Sequence, residues 1–395
     1  MQVKNSPGNE NPIDKYAPYM FAVICVIVLL IIRSALFYHE WGDYTYFYQH
    51  WLAEFREMTF IEGLGTVVGN YNPPHMYIYN ILSRINFPEL ILLKLTSIIF
   101  DFLIAFFVMK IVSLKTDNIN MRIAAFVLTL AIPTMILNGS MWAQCDSIYS
   151  AFAVGSIYFA LSKRSKLAYI FIGIAFSFKM QSLFILPIFP VFIITKKIRF
   201  RDCYLFFVVY IAAILPAVLA GMSVGTIFST YFDQVGTFSS LNMNIANIWR
   251  FVGNVSYDNF VIAGLGITTL IVLGLLYFTW VNRERLVSNI DFIRLAYLFA
   301  VIIPFTLPKM HDRYYFLADV LSLVVFLFDK RRWYVPVVSI FCSYLAYAWF
   351  LMGGIEIFDY RLGALALLAI ILVVLRDYVI SLRADTDSAV TDNNE

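Results

Sequence analysis

Lys196-Lys197-Ile198-Arg199-Phe200-Arg201 stands between two stretches without a single charged side chain, Leu183 to Thr195 and Tyr204 to Leu219. The same basic punctuation recurs at Lys163-Arg164-Ser165-Lys166, Arg283-Glu284-Arg285 and Lys330-Arg331-Arg332. It falls on every second connection between apolar runs. The intervening connections are longer, aromatic and poor in Lys and Arg. Cytoplasmic loops of membrane proteins carry the positive excess, so the alternation assigns sides. The basic ends and both termini lie inside, and the long aromatic connections lie outside.

Composition requires the same class. The 395 residues are 61% hydrophobic and 14% charged, with a mean hydropathy of +0.76, which leaves too little polar surface for a soluble domain. The net charge of +3 is no argument for nucleic acid, because the basic residues are spent on orientation. Cys25, Cys145, Cys203 and Cys342 show no CxxC spacing, so neither a zinc site nor a disulfide framework is expected. The first apolar run follows Lys15 and lacks a small-residue cleavage site, which reads as a retained span and not a signal peptide.

The pattern predicts an all-α polytopic protein with about twelve spans, at roughly 20 residues per crossing. They fall near 17–37, 88–111, 122–138, 145–162, 167–179, 181–195, 203–221, 259–281, 288–306, 313–329, 334–352 and 360–376. The fifth and sixth are short for a crossing. They read as a helical pair, partly re-entrant, meeting at the polar tip Lys179-Met180-Gln181-Ser182. One integral-membrane domain covers 1–380, and 381–395 forms a polar, disordered cytoplasmic tail. The first outer segment, 38–87, is long enough for short interfacial helices.

On this topology the outer face collects an unusual set of groups. The first outer segment carries Tyr38-His39-Glu40-Trp41-Gly42-Asp43-Tyr44, then Phe47, Tyr48 and Trp51, then Asn70-Tyr71-Asn72-Pro73-Pro74-His75. The third span ends in Asn138-Gly139-Ser140-Met141-Trp142-Ala143-Gln144-Cys145-Asp146. The tip adds Lys179 and Gln181, and a late connection adds Pro308-Lys309-Met310-His311-Asp312-Arg313-Tyr314. Carboxylate, amide, imidazole, ammonium and guanidinium groups among aromatics suit an anionic head group joined to a hydroxylated ring.

Each feature also has a plainer reading. Aromatics at span ends form an interfacial belt. Asn72-Pro73-Pro74 suits a helix start, Asp146 suits a helix cap, and Lys179 and Arg313 can snorkel. Asp101 lies inside a span, where a charge costs several kcal/mol, and calls for a structural partner or a neutral form. Gly63, Gly65 and Gly69 lack the spacing of a dinucleotide fingerprint.

In combination the motifs resemble the GT-C superfamily of polyprenyl-phosphate-sugar-dependent glycosyltransferases. Gly42-Asp43-Tyr44 through Trp51 to Tyr71-Asn72-Pro73-Pro74 resembles the first outer loop of the dolichyl-phosphate-glucose-dependent glucosyltransferases. Asn72 departs from that pattern, which has Tyr directly before Pro-Pro. Trp142-Ala143-Gln144-Cys145-Asp146 with Phe178-Lys179-Met180-Gln181 is similar to bacterial proteins related to the second mannosyltransferase of the GPI-anchor pathway. Pro308 to Tyr314 is similar to a His-containing late loop of both groups. The resemblance spans roughly residues 40 to 330.

The resemblance implies an inverting glycosyltransferase that moves a hexose from a polyprenyl-phosphate-linked donor to a hydroxyl of a lipid-linked or cell-surface glycan. It implies Asp43 as general base, with Asp146 as second candidate. Lys179, Arg313 and His311 would meet the donor phosphate. Trp142, Gln144, Asp146, Gln181, Tyr71, Asn72 and His75 would hold sugar or acceptor. No metal or cofactor is expected beyond the lipid-linked co-substrate, and the partners are donor, glycan or glycolipid acceptor and membrane lipid, with no nucleic acid. The composition points to a bacterial plasma membrane with undecaprenyl phosphate as carrier, or to the ER membrane for a eukaryotic chain. A transporter or flippase of lipid-linked sugar is the alternative. It calls for interrupted spans in two related halves, and no such repeat is present.

Overall fold

The computed structural model describes residues 12–236, 240–252, 257–355 and 358–383. It is 77% helical. Among the described residues seven helices have the length and apolarity of a membrane crossing, or eight if one bent pair is a single span. The protein is an all-α, multi-pass membrane protein. Five of the seven are α1 (Pro12–Ser34), α5 (Glu89–Val112), α13 (Tyr257–Val281), α14 (Asn289–Thr306) and α17 (Tyr360–Arg383). The other two contain α11 (Tyr204–Leu219) and α16 (Tyr334–Leu351), each preceded by a short 3₁₀ turn. The bent pair is α6 (Ile119–Leu130) with Pro133–Met141, which opens with α7 (Pro133–Ile136), broken by 50°. Pro133 is the cause: it opens α7 and holds Ile132 in extended backbone, at ψ 120.

The expected count of twelve crossings is not reached. The remaining four expected spans coincide with α8 (Asp146–Leu161), α9 (Ser165–Phe178), α10 (Ile188–Ile194) and α15 (Phe316–Phe328), of 16, 14, 7 and 13 residues. These fall short of the roughly 20 residues that span the hydrocarbon. Apolar patterning alone does not separate a crossing from a helix shielded inside the bundle. α17 also runs past the expected domain end at 380 to Arg383, and the expected tail from 384 onward lies outside the described residues.

The 38–87 segment forms α2 (Gln49–Glu57), α3 (Phe60–Gly65) and α4 (Pro73–Leu82), as its length suggested. A helix α12 (Val224–Gly236) follows α11. Two dipeptide strands, β1 (Asn242–Met243) and β2 (Met310–His311), pair in parallel, with Met243 opposite His311.

Helices that are apolar all round must face lipid or lie wholly inside, and both kinds occur. The crossing window of α14 is 89% buried, whereas that of α1 is 6% buried. α8, α14 and α15 supply the centre, around Tyr149, Phe292, Phe299 and Leu321. The basic connections meet one another. Lys115 donates to the carbonyls of Leu327 and Phe328, Lys197 to Asn289, Arg285 to the Leu382 carbonyl, and Arg332 pairs with Asp377. The polar 38–87 segment, the 138–146 turn, the Lys179 tip and the 307–315 connection gather at the other ends of these helices.

Candidate functional site

Five chain segments meet around one cavity of about 360 Å³. It is lined by Asp43, Tyr71, Lys179, Gln181, His311, Asp312 and Arg313 among others, with Asn244, Trp349 and Phe350 from segments that the motif reading did not use. The backbone is irregular at several of these contributions. Asp43 immediately precedes a π-helical turn, Tyr44–Tyr48, and a second π-helical turn, Leu137–Met141, leads to Trp142. Such turns inside helical structure often accompany functional sites. Ala143, Asn244 and Lys309, none of them glycine, hold φ values of 61, 60 and 63. That conformation is costly for an ordinary side chain. At Ala143 it folds the chain so that the Gln144 N–H reaches the Asn138 carbonyl at 2.8 Å.

Asp43 is held from one side. Trp142 Nε1 donates to its Oδ2 at 3.0 Å, and Gln144 Nε2 donates to the same oxygen. Arg313 Nη1 stands 4.0 Å from it. All of these contacts fall on Oδ2, and the carboxylate remains 21% exposed toward the cavity. The Trp142 indole is itself fixed, stacked on Phe350 at 4.1 Å between centroids, with the Arg313 guanidinium 5.3 Å from its ring.

Asp146 is the first residue of α8 and is buried. Its Oδ1 accepts from Lys179 Nζ at 2.5 Å, its Oδ2 from Asn138 Nδ2 at 2.9 Å. Burial opposes the Lys179 charge, but the Asp146 carboxylate outweighs it and raises the ammonium pKa above its ordinary value. Lys179 is therefore a cation at any physiological pH.

Arg313 is less well matched. Its carboxylate neighbours are Asp146 Oδ2 at 3.6 Å, Asp312 Oδ1 at 3.7 Å and Asp43 Oδ2 at 4.0 Å, all too long for hydrogen bonds. Its side chain is 16% exposed, and Nε is buried with no acceptor. Other buried polar atoms without partners lie nearby: Gln144 Oε1, Asn138 Oδ1, Gln181 Oε1 and Asp312 Oδ1. Buried polar groups are ordinarily satisfied, and of these residues Arg313, Gln181 and Asp312 line the cavity, beside any water or polar occupant. Among the described residues no three His, Cys, Asp or Glu side chains gather as metal ligands. The three carboxylates converge on the guanidinium.

The two histidines are neutral. Burial, with Lys179 nearby, lowers the His75 pKa to about 3. Burial, with Arg313 and Lys179, lowers His311 to about 3 as well. His311 lines the cavity as an uncharged hydrogen-bonding group. Asp312 moves the other way: burial first, then the Asp43 and Asp146 carboxylates, push its pKa up to about 7, with Arg313 opposing.

Of the residues singled out from sequence, Asp43, Tyr71, Lys179, Gln181, His311 and Arg313 line the cavity. Trp142, Gln144 and Asp146 stand directly behind, as holders of Asp43, Lys179 and Arg313. Asn72 and His75 do not line it. His75 packs against Tyr71, with ring centroids 4.4 Å apart. Asn72 precedes α4, with Pro73 in its first turn, so the plainer reading of Asn72-Pro73-Pro74 as a helix start describes its local structure. Asn244, Trp349 and Phe350 carried no motif. A lone Asn in a loop and two aromatics in an apolar helix are indistinguishable from belt and core by pattern.

A second, largely apolar cavity of about 330 Å³ adjoins the first, and Gln181 and Tyr314 line both. Met180, Leu183 and Phe184 line it together with Val261 and Leu265 of α13 and with Leu307 and Pro308. No family model matches the chain, and no curated protein matches it either.

Proposed function

We propose that the protein is an inverting glycosyltransferase of the GT-C kind, taking a hexose from a polyprenyl-phosphate donor at the extracytoplasmic face. The observation that carries this reading is one juxtaposition. A carboxylate with a cavity-facing side (Asp43) stands across from a half-buried guanidinium whose buried Nε has no hydrogen-bond acceptor (Arg313), and an apolar cavity runs on from theirs. A sugar with many hydroxyls, one phosphate and a prenyl chain has those three needs in that order. The prenyl chain would lie in the apolar cavity against α13, the phosphate at Arg313 and Lys179, and the sugar among Tyr71, Gln181 and His311.

The chemistry balances as a single displacement. Asp43 accepts the proton of the acceptor hydroxyl on Oδ1, the side its holders leave open, and the acceptor oxygen bonds to the anomeric carbon. The bond from that carbon to the phosphate oxygen breaks, and polyprenyl phosphate leaves with the electron pair. Arg313 and Lys179 offset the charge that develops on it. Arg313 exchanges carboxylate contacts of 3.6–4.0 Å for bonded phosphate oxygens, for which its planar fork is suited. Attack from the face opposite the leaving group inverts the anomeric centre.

Asp43→Asn keeps shape and the donors on Oδ2, and removes the base. General-base contributions are about 100- to 10,000-fold. Transfer should fall by that factor while the affinity for a polyprenyl-phosphate hexose, measured by calorimetry, stays within about threefold. A loss of turnover under tenfold would move the base elsewhere, with Asp146 next in line.

A further inference from the structure

α5 crosses the membrane with three polar side chains on one face, Lys94, Ser97 and Asp101, at the i, i+3, i+7 spacing that aligns residues along a helix. All three are buried. Each holds a different segment of the site. Lys94 Nζ donates to the carbonyls of Leu36, Phe37 and His39 at 2.8, 3.0 and 2.7 Å, fixing the chain between the end of α1 and Asp43. Ser97 Oγ donates to the Gln144 carbonyl at 2.5 Å, and the Gln144 side chain holds Asp43. Asp101 accepts from Ser147, the residue after Asp146, through Oδ1. Its Oδ2 accepts from Arg33 Nη1 at 2.6 Å.

Arg33 extends the same network. It donates to Ser140 Oγ at 3.3 Å and to the Leu130 carbonyl at 3.0 Å, so α1, otherwise mostly lipid-facing, is joined to the 138–147 turn through one guanidinium. The turn lies close against the stripe: a Cβ at Gly139 would come within 3.0 Å of Ser97 Cβ. Charges inside a span are disfavoured, and a buried ion pair is often replaceable by apolar residues without loss of stability. Stability alone therefore does not account for four polar groups here.

We infer that the Lys94–Ser97–Asp101 face of α5, with Arg33, is a positioning device that sets Asp43 against the Trp142–Asp146 turn. These are positioning residues; they act through Asp43, Gln144 and Asp146, and the inference rests on the reading of Asp43 as base. A misplacement of about 1 Å at a reacting group can cost on the order of 100-fold in rate.

The test uses the full chain with Cys25, Cys203 and Cys342 replaced by Ser, leaving Cys145 inside the turn. Ser97→Ala is compared with the double variant Arg33→Met/Asp101→Leu, which removes the pair without stranding a charge. Both should purify as monodisperse, folded protein. Each should lower kcat for transfer from a short-chain polyprenyl-phosphate hexose by about 10- to 100-fold, with KM within about twofold. Maleimide should label Cys145 several-fold faster in both, because the turn is no longer held. Parent kcat and parent labelling rate in folded Ser97→Ala would overturn the inference, whether or not the double variant folds. If the parent transfers no sugar, the labelling arm still decides: faster labelling upholds the stripe while the glycosyltransferase reading fails, and unchanged labelling overturns the stripe.

Discussion

Arg313 sets the electrostatics of the cavity, because its guanidinium faces Asp43, Asp146 and Asp312 and stacks against Trp142. Replacing it by Gln, or Lys179 by Gln, should weaken inhibition by polyprenyl phosphate. A charge-assisted hydrogen bond is worth about 1.5–3 kcal/mol, or about 10- to 150-fold in affinity. Unchanged inhibition in both variants would remove them from the phosphate site. Asp312 adds a pH dependence. Its carboxyl is raised to about 7, so the folded protein holds that proton more tightly than the unfolded chain does. The stability this provides is complete below the ordinary carboxylate range and is lost as pH rises through about 7. Ionisation also places a further negative charge beside Arg313, so the donor KM should climb between about pH 6 and pH 8 and stay flat in Asp312→Asn. A flat profile in the parent would contradict this. Lys179 and Arg313 stood out in sequence as charges at the ends of apolar runs, and Asp43 through the Gly-Asp pair that carries the resemblance. That Trp142 and Gln144 hold Asp43 was not legible, since a hydrogen bond across about 100 residues leaves no local pattern.

The elements that shape the cavity differ in how far their sequences announce them. α4 begins where Pro73 predicts, and α9 stops at the polar tip before Lys179. The β1–β2 pair was invisible, because two residues give no period to read. It nonetheless sets Met243, next to Asn244, opposite His311, and Asn247 braces Asn242 within it. Buried Asn247 accepts from Asn242 Nδ2 at 2.7 Å and from the Trp249 N–H at 3.1 Å, and donates to the Pro304 carbonyl at 3.3 Å. Trp249 Nε1 in turn reaches the Thr306 carbonyl at 2.8 Å. Asn247→Ala should cost about 1–3 kcal/mol, the price of stranding buried polar groups, and lower the melting temperature in detergent together with kcat. A variant with parent stability and parent kcat would show that the strand pair does not shape the site.

At the scale of the molecule, alternating charge gave the class and the two ends of the bundle, and seven of the expected crossings, or eight with the bent pair, have the length and apolarity of a span among the described residues. α8, α9, α10 and α15 are shorter and largely shielded by neighbours, so their length and apolarity alone do not assign them as crossings. Orientation is directly measurable. An impermeant thiol reagent applied to intact cells should label Val67→Cys, which is exposed beside α3, and should not label Lys166→Cys at a basic connection. The reverse would put the cavity on the cytoplasmic side. The central claim is that this cavity transfers a hexose from a polyprenyl phosphate by one displacement. Its most direct test is to incubate the purified protein with short-chain polyprenyl-phosphate glucose, mannose and galactose of known anomeric configuration, with a glycolipid or, failing that, water as acceptor. Release of polyprenyl phosphate is then followed, and the configuration of the new anomeric centre is read by NMR. The account predicts release from at least one donor, with inversion. No release by folded protein from any donor, or retention of configuration, would contradict it.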